Sequence, residues 1–148
     1  MRNPVAVALA GLLTLLFSSC QSGPKTGPDT AAIVNQTEIK NAEVTSVSMD
    51  ILTPFGIDCD VFDTIFSYKL ERNYVPSDDL TKLAILLSKA QTTSVTSIDV
   101  RGKLIITTFD NKTKMLCFDT FGRFYDGIKY TENEPLLKFL KTKKLVTP

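Results

Sequence analysis

Cysteines and aspartates are the residues of this chain whose chemistry reaches beyond packing. Cys59 and Cys117 form an even pair once Cys20 is set apart for the reason given below. In an oxidising compartment such a pair suggests a disulfide closing a long loop. The competing reading is two reduced thiols that pack as small hydrophobes. Neither fits a nucleophile–base pair, because the sequence holds no histidine. That absence also excludes Ser-His-Asp systems and His-ligated metal sites. Asp58, Asp60 and Asp63 form an acidic cluster that offers hard oxygens to a cation such as Ca²⁺. The cluster lacks EF-hand spacing and a terminal Glu, so it is read as helix capping and dipole compensation. No metal and no cofactor are expected. With Asp99 and Asp119, these acids are also the candidates for a hydrolase working on carboxylates alone. Tyr68, Tyr74, Tyr125 and Tyr130 are a candidate binding surface, tyrosine being enriched at interfaces. The alternative places them at the core edge with their hydroxyls in water. No P-loop, GxSxG, HExxH, CxxC or dinucleotide-binding turn is present.

The elements that must position these residues follow from periodicity. Val47, Met49 and Ile51 alternate with Ser46, Ser48 and Asp50, the pattern of a half-buried strand. Residues 53–56, Thr-Pro-Phe-Gly, break it. Val61, Phe62, Ile65, Phe66, Lys69 and Leu70 recur at helical steps, with Asp58 as the expected N-cap. Ser77 is expected to cap a second helix, its apolar face carrying Leu80, Leu83, Ala84, Leu86, Leu87 and Ala90. Ile98, Val100, Gly102, Leu104 and Ile106 share one parity, predicting a continuous strand with a bend or bulge at Gly102. Residues 110–112 form a hairpin loop, and residues 113–119 form the partner strand. A turn at residues 121–123 leads to a last strand holding Phe124, Tyr125, Ile128 and Tyr130. Asn133 caps a final helix with Pro135 in its first turn, and Leu136, Leu137 and Leu140 are expected to face inward. Lys138, Lys141, Lys143 and Lys144 suit the negative end of that helix. The expected class is α+β. An antiparallel sheet of about four strands carries two or three helices on one face, in the order β-α-α-β-β-β-α.

The N-terminus has a different composition. Arg2 is followed by an uncharged, mostly apolar run over residues 5–17, and then by Ser18, Ser19 and Cys20. The run is too short to span a bilayer, which takes about 20 residues; it reads as a secretory signal core. Leu16-Phe17-Ser18-Ser19-Cys20 resembles the lipobox of bacterial lipoproteins, although Phe17 stands where the family usually has Leu. The resemblance implies that Cys20 carries a diacylglycerol and an acyl chain such as palmitate after the leader is cut. It covers the leader and Cys20 only. Gln21 follows the cysteine where an Asp would retain the protein in the inner membrane, so an outer membrane is favoured. The expected divisions are a signal over 1–19, a lipidated N-terminus and disordered tether over 20–41, and one domain over 42–148. Two Gly-Pro steps and no large apolar residue occur in residues 21–30.

Lys and Arg total 17 against 16 Asp and Glu, and Arg2 is the only charge in the leader. A nucleic-acid binder of this size would carry a basic excess, so nucleic acid is set aside. The missing tryptophan weakens a glycan-binding reading. The expected function is a non-enzymatic binding or accessory lipoprotein of the cell envelope: an inhibitor, immunity or assembly factor. Its partners are the membrane, through the lipid, and another envelope protein. A small-ligand carrier and a carboxylate-dependent hydrolase are the alternatives.

Overall fold

A computed structural model describes residues 39–94 and 97–148. The expected signal, the lipidated Cys20 and most of the tether lie outside the described residues. One five-stranded antiparallel sheet organises the rest. It comprises β1 (Ile39–Ser46), β2 (Glu71–Tyr74), β3 (Gly102–Thr108), β4 (Thr113–Phe118) and β5 (Phe124–Tyr125). Their spatial order is β2-β1-β3-β4-β5. The helices are α1 (Phe62–Ile65), α2 (Leu80–Ser88), preceded by a 3₁₀ turn over Ser77–Asp79, and α3 (Glu134–Thr142). The α+β class holds. The sheet has a fifth strand, and the order becomes β-α-β-α-β-β-β-α because residues 71–74 pair with the far edge of β1.

Side-chain alternation gives the sheet two covered faces. Ala42 and Val44 of β1, Leu104 and Ile106 of β3, and Leu116 and Phe118 of β4 bury against Leu83, Ala84 and Leu87 of α2 and Leu136 and Leu140 of α3. The opposite face carries a row running Arg72, Thr45, Lys103, Cys117, Tyr125 from edge to edge. A second, smaller core lies on this side, built from Val47, Ile57, Cys59, Phe62, Phe66, Val100 and Cys117. The expectation of helices on one face thus holds for α2 and α3, whereas α1 covers the other face.

Four expected elements differ in extent. The last strand, expected to run on to Tyr130, stops at Tyr125, and Tyr130 forms an isolated bridge to Thr92. The first strand starts at Ile39, ahead of the expected domain start at Ala42, and ends at Ser46, before the alternating run that suggested it. Val47 and Met49 still bury, but in different cores. The expected helix around residues 58–70 shrinks to one turn, capped by no side chain. Its upstream backbone is committed elsewhere: the Ile57 carbonyl accepts from Val100 N–H at 2.9 Å, and Cys59 is held by Cys117. The expected strand through residue 98 begins only at Gly102. Ile98 and Val100 pack in the second core while Leu104 and Ile106 pack in the first. The chain bends at Arg101, whose N–H donates to Phe118 O at 2.8 Å and whose carbonyl accepts from Val47 N–H at 3.0 Å. Gly102 is required beside the bend, since a Cβ there would lie 2.3 Å from Phe118 Cζ.

Turn and cap chemistry follows the sequence more closely. Asn133 Oδ1 accepts from Leu136 N–H at 3.1 Å, and Pro135 sits in the first turn of α3. Asn111 takes φ 60° and Gly122 φ 78°, closing the two hairpin turns. At the first of these, Lys112 and Thr108 hold the Asp110 carboxyl down to about 2. Ser77 does not cap α2: its hydroxyl donates to Asp78 Oδ1, and Asp79, which stands at the N-cap, makes no side-chain capping bond.

Candidate functional site

The strongest candidate is a loop the sequence offered only as a strand breaker. Residues 51–57, Ile-Leu-Thr-Pro-Phe-Gly-Ile, carry no charge. Ile57 is fully buried and Ile51 packs against the second core, while Leu52 is 96% and Phe55 61% exposed. The loop is fastened from below by an ion pair. Arg101 donates to both carboxylate oxygens of Asp99, each at 2.6 Å. The same guanidinium donates to Thr53 Oγ1 at 2.9 Å, and Asp99 Oδ1 accepts from Ile57 N–H at 2.9 Å. Arg101 is buried whereas Asp99 stays half exposed, so the bidentate pair is the means by which a buried cation keeps its charge satisfied. Thr53 and Ile57 are thus tied to one ion pair, and the large apolar side chains of Leu52, just before Thr53, and Phe55, between the two, project outward.

A second feature is an open cleft of about 260 Å³ lined by Asp58, Cys59, Asp60, Ser97, Ile98, Tyr125 and Lys129. Cys59 in its wall is disulfide-bonded to Cys117, with Cα atoms 5.8 Å apart, inside the range disulfides use. The bond joins the α1 segment to the middle of β4, and no thiol remains at either position to act as a nucleophile.

Of the five candidate acids, two share this cleft and three lie elsewhere. Asp58 and Asp60 line the cleft. Asp63 pairs instead with Lys103 Nζ at 2.5 Å, beneath the sheet, where that ammonium also lies 5.6 Å from the Phe62 ring centroid. Asp99 is occupied by Arg101. Asp119 is buried in the β4–β5 turn, accepting from Phe121 N–H at 2.9 Å, Arg123 N–H at 3.0 Å and Arg123 Nε at 2.6 Å. Among the described residues no group of three His, Cys, Asp or Glu is placed to hold a metal ion.

Nor do the four tyrosines form one surface. Tyr68 and Tyr74 are 77% and 69% exposed, around the edge strand β2. Tyr125 packs against the second core. Tyr130 is 2% exposed and belongs to the first core. Its hydroxyl donates to Asp126 Oδ2 at 3.2 Å. Burial, with the Asp126 charge beside it, pushes Tyr130 up to about 12. Leu52, Phe55 and Arg101 escaped sequence reasoning. The available signal was an uncharged stretch in a segment that a Pro and a Gly place in a loop, where polar residues are the norm.

No protein-family model matches the chain, and no curated protein or solved structure matches it either. No helix among the described residues is long and apolar enough to cross a membrane.

Proposed function

We propose that this chain is an envelope lipoprotein, anchored through Cys20, whose α+β domain is a non-enzymatic binding or accessory module. It uses the loop of residues 51–57 to engage another envelope protein. The observation that carries this reading is the exposure of Leu52 and Phe55 on a loop pinned at Thr53 and Ile57. Scattered single apolar residues on a surface need no explanation. Two on one fastened, uncharged loop resemble an interface anchor, because a pre-ordered loop avoids part of the entropy cost of association. Asp58 and Asp60 share the open cleft, but Asp63, Asp99 and Asp119 are committed to Lys103, Arg101 and Arg123, which supports the binding reading over a carboxylate hydrolase that draws on those acids.

The test is in-cell crosslinking of the full chain, comparing wild type with a Leu52→Asp/Phe55→Asp double variant and with Cys20→Ala. One abundant crosslinked protein should be recovered with wild type. The double variant should reduce it at least about tenfold, as loss of an interface anchor does, at an unchanged melting temperature because both side chains face water. Retention of that partner by the double variant would refute the loop as the binding element.

A further inference from the structure

We propose that the opposite end of the sheet is a membrane-docking surface: the β3–β4 hairpin tip places Phe109 in the interfacial layer of the bilayer that holds the lipid anchor. This rests on the Cys20 anchor reading above. What points to a lipid surface is where the rest of the chain enters the domain. Ile39, the first described residue, pairs with Thr108 across β1 and β3, so the segment leading back to Cys20 joins the fold beside Phe109. Residues 21–38 span at most about 60 Å when fully extended. Any shortening of that segment draws this end of the sheet, and no other, toward the bilayer.

The chemistry of the tip suits an interface. Phe109 is 68% exposed. Lys40 Nζ donates to Asn111 Oδ1 at 2.9 Å, tying β1 to the turn, while Lys112 pairs with Asp110 at 2.7 Å and Lys114 with Asp126 at 2.9 Å. Aromatic rings settle at headgroup depth. With these lysines engaged within the domain, the ring and not the charge supplies the attraction. The tip is already formed: Asn111 N–H donates to Thr108 O and Thr108 N–H to Lys112 O, each at 2.9 Å. Anchoring makes the contact intramolecular, so even a weak interaction is well populated.

The absence of tryptophan from the chain gives a clean readout. The lipidated full chain is reconstituted into vesicles of phosphatidylethanolamine and phosphatidylglycerol as Phe109→Trp, and separately as Phe55→Trp at the far end. Lys112→Trp serves as a second probe of the tip. Brominated acyl chains should quench and blue-shift the Phe109→Trp emission, several-fold more than that of Phe55→Trp. Equal or absent quenching in protein that co-sediments with the vesicles overturns the docking and leaves the anchor standing. Protein that remains in the supernatant overturns the anchor reading, and the docking with it.

Discussion

Arg101 carries a guanidinium into the edge of the second core, and the bonds it makes there are structural. Its partners Asp99 and Thr53 link the approach to β3 with the loop that follows β1. Replacing it with Met keeps the aliphatic volume and removes the fork. Arg101→Met should therefore cost about 2 kcal/mol, the scale of hydrogen bonds to a charged group, measured by urea unfolding. It should also speed amide exchange at Ile57, whose N–H bonds to Asp99. Unchanged exchange there would show that the pair does not fasten the loop. Tyr130 offers a pH test. Its folded pKa is raised from 10.0 to about 12, so the folded state holds the proton more tightly than the unfolded chain. Its contribution is fully present below pH 10 and is lost as pH rises through about 12. A phenolate absorbance titration should show one tyrosine ionising last, near pH 12, and Tyr130→Phe should remove that step.

At the scale of elements, the disulfide and the bend at Gly102 decide how the two cores are divided. Cys59 and Cys117 close a loop with a separation of 58 residues, for which chain entropy gives about 4 kcal/mol. A Cys59→Ala/Cys117→Ala variant should lose stability of that order in chemical denaturation, and a loss below about 1 kcal/mol would mean that packing alone holds the α1 segment. Gly102→Ala forces a methyl group against the Phe118 ring and should cost about 1–3 kcal/mol by overpacking; a neutral result would contradict the close approach. These elements also mark where the sequence was legible. Asn133 with Pro135, the Asn111 turn and the apolar stripes of α2 and α3 are local signals, and they read correctly. The helix expected around residues 58–70 read wrongly because the bonds that shorten it come from Val100 and Cys117, distant in sequence. A bend was expected at Gly102 and the chain turns there, but the single-parity run from Ile98 to Ile106 concealed that its halves enter different cores, since both are apolar and periodicity cannot tell one core from another. β2, polar and at the sheet edge, carries no apolar alternation to announce it. The pinned loop was invisible because nothing local links Thr53 to Arg101.

Across the whole molecule the sheet has two unlike ends. Ile39 and the Phe109 hairpin lie at one; Ser46, Gly102 and the loop of residues 51–57 lie at the other. An eight-residue strand separates them, about 25 Å at 3.2–3.4 Å per residue. An anchor at the first end would direct the second away from the bilayer, toward a partner. The most direct test is site-specific photocrosslinking in intact cells, with the probe at position 52 or position 109 of the full chain. We predict that the probe at 52 captures one discrete protein and the probe at 109 does not. No adduct at 52, or the same adduct from both positions, would contradict a tethered module that presents its far loop.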